Sequence, residues 1–175
     1  MKRMSGLVAI LGMMAAVGCG MAQTAMVGTF DKTSIMVAFY GSPMWSAELK
    51  ANEAEMQQAK SAGNQKKVAE LNKWGKDQQK LAHKQMAGGT NIDNILQTMK
   101  PMFAAVAAQA HVATIVPQAS RATKNVTTVD VTNLLMDQLQ ADADTRQTAE
   151  YLRDLKKAHP MKYRLYMFLF RFEGD

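Results

Sequence analysis

The side chains best placed to engage a partner lie between residues 43 and 88, in whose second half Lys66, Lys67, Lys73, Lys76, Lys80 and Lys84 stand against only Glu70 and Asp77. Lysines at this density either form a solvated helix face or attract anionic surfaces and acidic polypeptide, over about 8–10 Å at moderate salt. Interleaved with them are Trp45, Leu49, Met56, Leu71, Trp74 and Leu81, too thinly spaced for a core and suited to shallow, exchangeable apolar contacts. This is binding chemistry rather than catalysis. The histidines, His83, His111 and His159, are scattered, with no Cys, Asp or Glu at metal-ligand spacing. No nucleophile elbow, phosphate-binding loop or dinucleotide fingerprint occurs. The expectation is a non-enzyme with no catalytic residue, cofactor or metal.

Two helices folded into a hairpin would present these groups. Ser42 is placed to cap the first helix, with Pro43 at its first position, where a missing N–H is harmless. Trp45, Leu49, Asn52, Met56 and Ala59 then recur at steps of four and three. After a turn at Ser61-Ala62-Gly63-Asn64, Val68, Leu71, Trp74, Gln78, Leu81 and Gln85 answer them. This is the seam of an antiparallel two-helix coiled coil, diluted by Asn and Gln and therefore flexible, and about 30 Å long. Within the arm, 43–88, Trp45, Met56 and Trp74 serve either to bind a partner or to hold the two helices together.

The flanks, 25–42 and 90–140, carry the denser apolar pattern of a β/α body. Ala25–Phe30, Val112–Gln118 and Val126–Val131 read as strands. A short helix, Ile35–Tyr40, capped by Thr33 or Ser34, ends at Gly41. Thr90 and Asp93 have capping-box spacing before a core-facing helix bearing Ile92, Ile95, Leu96, Met99, Met102, Phe103, Val106 and Ala110, which Pro101 should kink or restart near Lys100. Thr132 would cap a last body helix through Leu139. The remainder, 141–175, reads as a helix to Ala158, a break at His159-Pro160, and a β-prone aromatic run, Met161–Phe172, that either adds a strand to the body or forms an exposed contact edge.

Residues 1–22 have the layout of a bacterial export signal: a basic Lys2-Arg3, an apolar run Leu7–Val17, then small residues. Cleavage after Gly20-Met21-Ala22 would release a soluble periplasmic protein. Lipidation at Cys19, the single cysteine, would instead anchor it. Neither route leaves an intramolecular disulfide. The net charge is +6, falling to +4 without Lys2 and Arg3. With no Arg-rich or base-stacking pattern, that mild excess suits anionic protein or lipid partners rather than nucleic acid. A body of about 100 residues is marginal alone, so oligomerisation is expected.

The entry Val27-Gly28-Thr29-Phe30-Asp31-Lys32 and the exit VAAQAHVATIVPQASRATKNVTTVDVTNLLMDQL, residues 106–139, placed around a helical insertion, resemble the OmpH/Skp family of periplasmic chaperones. The resemblance covers about two thirds of the chain. It implies a helix-rich α+β fold: a small β-rich trimerisation body with protruding antiparallel coiled-coil hairpins around a cavity that holds unfolded outer-membrane or envelope proteins without ATP. In that frame Val27, Phe30, Val112, Ile115, Val129 and Val131 build the body and its oligomer contacts. Trp45, Leu49, Met56, Leu71, Trp74 and Leu81, with Lys73, Lys76, Lys80 and Lys84, meet clients, and anionic lipid is a further contact. The arm is shorter than the family's, and the Met161–Phe172 tail lies outside its pattern. The alternative is an envelope scaffold protein, lipid-anchored through Cys19, whose arm docks one fixed partner.

Overall fold

The computed structural model describes residues 26–88, 90–118 and 126–170, with side chains as far as Met167. The chain is helix-rich around a small parallel sheet. In order it forms β1 (Val27–Phe30), α1 (Lys32–Tyr40), α2 (Pro43–Ser61), α3 (Gln65–Met86), α4 (Asp93–Gln109), β2 (Thr114–Pro117), β3 (Thr128–Asp130), α5 (Thr132–Gln138), α6 (Ala143–Ala158) and α7 (Pro160–Phe170). The sheet order is β2-β1-β3. Val27 lies opposite both Thr114 and Thr128, and Phe30 opposite Pro117. Residues 1–25, with the export signal and Cys19, fall outside the described residues.

β1 is central, and its sequence explains why it can be. A Cβ on Gly28 would stand 3.0 Å from Ile115, 3.1 Å from Val112 and 3.3 Å from Val131, so only glycine lets these branched side chains close over the strand. Phe30 and Val131 are fully buried, Val112 is buried, and Ile115 and Val129 pack partly buried against the same core. Val27 is half-buried at the strand's start. The core continues through Ile35, Ile95, Met99, Val106, Leu135 and Leu139. Each such side chain contributes roughly 1.5–3 kcal/mol by leaving water.

Several local expectations are corrected. Asp31, rather than Thr33 or Ser34, caps α1, its Oδ1 accepting from the Ser34 amide at 2.8 Å, so the helix begins at Lys32. Thr90 and Asp93 form no capping box: Ile92 occupies the cap position of α4 without a side-chain bond. Thr132 opens α5 rather than capping it, and its amide and hydroxyl both donate to Asp130 Oδ1. Pro101 does not divide α4. It lies with Gln97 on the exposed side, so the carbonyl left without its N–H partner can be hydrated.

The tail differs most. The run that starts at Met161 is not a strand but α7. Pro160 takes the first helical position after a His159 that is outside the helical region (φ −139°, ψ 67°), an arrangement that starts a helix rather than a strand. Tyr163 and Met167, four apart, turn inward while Leu165 between them is 59% exposed, whereas a strand would set all three on one face. Met167 is buried, and Tyr163 shares a 2.8 Å hydrogen bond with Thr33. α6 lies against α1, with Ala149 in the core and Leu152 buried. None of the helices among the described residues is long and apolar enough to cross a membrane.

Candidate functional site

The hairpin of α2 and α3 carries most of the residues singled out by composition. Ser42 ties its base to α1: the Oγ donates to the Phe39 carbonyl at 2.6 Å and accepts from the Trp45 amide at 3.3 Å. With Pro43 next, α2 starts where the sequence places it. At the far end Gly63 takes φ +68°, and Asn64 caps α3 by accepting from the Lys67 amide at 3.0 Å. A three-residue turn joins the helices, and they lie antiparallel, as paired positions from both ends require. Trp45 stacks on Trp74 at 6.3 Å between ring centroids, and Glu55 pairs with Lys67 at 2.7 Å. The Glu55 carboxylate raises the Lys67 ammonium above its ordinary pKa by hydrogen bonding.

Burial follows the seam that the sequence outlines, with one exception. Ala59 and Leu71 are buried, while Trp45, Asn52, Met56, Val68, Trp74, Gln78 and Leu81 are half-buried. Leu49 is 39% exposed although it sits at a seam position. A groove of about 640 Å³ opens there, lined by Leu49, Asn52, Met56, Leu71, Trp74 and Gly75 among others. Lys73, Lys76, Lys80 and Lys84 are all exposed, and Lys73 is held by Asp77 at 2.5 Å. The apolar and basic groups proposed for contact thus share one hairpin, but only the apolar ones meet one another.

The base of the hairpin is a polar lock that sequence reasoning missed. Gln85 reads as one more polar dilution of the seam, yet it is completely buried. Its Oε1 accepts from the Tyr40 hydroxyl at 2.6 Å, and its Nε2 donates to the Asn91 carbonyl at 2.9 Å and to Asn94 Oδ1 at 2.6 Å. One side chain therefore joins the end of α1, the end of α3 and the start of α4. Burial pushes the Tyr40 hydroxyl up to about 12. Tyr40 also packs edge-on against Phe39 and Trp45, continuing an aromatic chain that ends at Trp74.

A second charged cluster lies where the strands end. Burial alone would raise the Asp31 carboxyl. The Ser34 amide bond and then Lys156, 3.0 Å from Oδ2, outweigh it and hold the group below its ordinary value. Asp31's amide donates to Thr132 Oγ1, which donates to Asp130, so the exits of β1 and β3 are cross-linked. This network is satisfied within the fold and ties α6 to the sheet.

The histidines remain apart: His83 is half-buried in α3, His111 is exposed at φ +53° after α4, and His159 is exposed between α6 and α7. Among the described residues no three His, Cys, Asp or Glu side chains gather as a metal site would require. No family profile, curated protein or solved structure matches the chain.

Proposed function

We propose that this chain is an ATP-independent holdase of the bacterial envelope, resembling the OmpH/Skp chaperones, that keeps unfolded outer-membrane or envelope proteins from aggregating. The observation that carries the proposal is the two-helix hairpin: long, lysine-rich, mostly exposed, with its apolar side chains half open to solvent and its base bonded to a folded body. A helical pair with a complete seam would bury those side chains. This one leaves them accessible while the body supplies the stability. Contacts of this kind contribute little each, at most roughly 1.5–3 kcal/mol per buried side chain. Many of them can hold a client without trapping it, and binding the unfolded state alone lowers the free aggregation-prone pool.

In the finer proposal, the hairpin acts as a coiled-coil arm and the sheet-bearing body assembles three chains, so that the arms enclose a client. The protein acts in the periplasm, delivered by the segment at residues 1–22. Purified protein should be trimeric by light scattering and should suppress aggregation of a urea-diluted outer-membrane β-barrel protein, less well as salt rises. A monomer without that effect overturns the proposal.

One observation favours the scaffold alternative. Met161 and Leu165, one turn apart on α7, are 74% and 59% exposed, a pair suited to a fixed partner. Crosslinking in cells separates the two readings, since a scaffold yields one stoichiometric partner and a holdase many.

A further inference from the structure

Gly75 lies inside α3, and the fold gives no reason for a glycine there. Its backbone is not left-handed, unlike those of Gly63 and Gly88 at the ends of α3. A Cβ built on it meets no atom within 4 Å, unlike one built on Gly28. Glycine weakens a helix relative to alanine because it loses more backbone freedom on folding. An unfavourable residue therefore occupies a place where alanine would fit. The space it leaves is part of the groove of about 640 Å³ floored by Leu49, Met56, Leu71 and Trp74, at the point where the seam fails to close over Leu49.

We propose that the Gly75 gap seats one apolar side chain of an extended polypeptide segment that carries acidic residues beside it. The proposal rests on the holdase function above and names the place and chemistry of its contact. Leu49, Met56, Leu71 and Trp74 offer an aliphatic or aromatic guest an apolar floor. Lys50 and Lys60 line the groove against the single carboxylate of Glu53, so its flank favours carboxylates. A second copy of the hairpin is the less suited occupant, because its α3 brings the same six lysines and like charges at close range repel.

The test compares the protein with Gly75→Ala and Gly75→Leu. The probes are two fluorescent acidic peptides, one with a central Leu and one with Ser in its place, beside the aggregation assay on an unfolded β-barrel protein. Both variants should melt a few degrees higher than the parent, since they remove a helix-interior glycine without a clash. The Leu peptide should bind Gly75→Ala several-fold more weakly and Gly75→Leu about tenfold more weakly, as expected for one displaced apolar side chain. Equal binding by parent and variants overturns the Gly75 seat, and if the parent still suppresses aggregation the holdase function stands. If the parent binds the Leu peptide and the variants do not, yet no form suppresses aggregation, the seat stands and the holdase function fails. Equal binding of the Ser peptide would reduce the contact to charge alone and overturn the seat. So would a lower melting temperature in the variants, or a change in their oligomeric state, which would assign the gap to a second copy.

Discussion

Replacing Gln85 by alanine should loosen the base of the hairpin, and the hydrogen-bond geometry sets the size of the effect. Three bonds are lost. Asn91 and Asn94 are exposed, so their freed groups can turn to water. The Tyr40 hydroxyl is half-buried and cannot be fully rehydrated, and the removed side chain leaves a gap in a site with no solvent access. At about 0.5–1.5 kcal/mol per lost bond, plus the penalty for an incompletely solvated donor, Gln85→Ala should destabilise by about 2–3 kcal/mol. Tyr40→Phe strands Gln85 Oε1 in a fully buried place and should cost about 1–2 kcal/mol. Because the two changes break one shared bond, the double variant should fall short of their sum by about 1 kcal/mol. Urea unfolding of the four proteins gives this coupling, and hydrogen exchange should show faster opening of residues 82–86 than of the turn at 61–64. Additivity within about 0.3 kcal/mol would refute the lock, since independent sites add to that precision.

Further outcomes follow from groups around the core. Asp31 has a folded pKa below its unfolded value, so its contribution is fully present above the unfolded pKa and is lost as pH falls through the folded one. Thermal melts should show wild type losing stability on acidification below about pH 4, with Asp31→Asn starting lower and changing less. Tyr40 has the opposite sign. Its folded pKa of about 12 exceeds the unfolded value, so its contribution is present below the unfolded pKa and lost as pH rises through about 12. Absorbance titration should find a late tyrosine transition that is lost in Tyr40→Phe. Gly28→Ala should destabilise by about 1–3 kcal/mol through overpacking against Ile115, Val112 and Val131, measured by denaturant midpoint.

The hairpin was legible from sequence because each of its signals is local: Ser42-Pro43 at the start, Gly63-Asn64 at the turn, and apolar residues at helical steps between them. The three strands were legible for a similar reason, though β2 and β3 proved shorter at both ends and β1 starts only at Val27. What escaped depends on distant partners. Asp31 stood out in the sequence only as part of the entry segment, and only the fold shows its carboxylate serving α1 and Lys156 together. Gln85 resembles Gln78 in sequence, and only the meeting of α1, α3 and α4 distinguishes them. The aromatic run after Pro160 had strand composition, but Tyr163 and Met167 turn inward while Leu165 between them faces solvent, which is the helical pattern and not the strand one. Leu49 read as a closed seam position, and only the fold shows it lining, with Gly75, a groove that stays open.

The pairing of β1 with β2 and β3 has a consequence for the order in which the chain acquires structure. The first strand synthesised is the middle strand of the sheet, and it has no neighbour until residues 114–130 exist. The hairpin needs no such wait, because the contacts between α2 and α3 span short stretches of chain and such contacts form early. Once folded, it brings Tyr40 beside Gln85, so the segment between them no longer counts as free loop when β2 seeks β1. Each halving of effective loop length spares about 0.6 kcal/mol of closure entropy. The hairpin is thus a spacer that shortens itself, leading the late strands back to an early one.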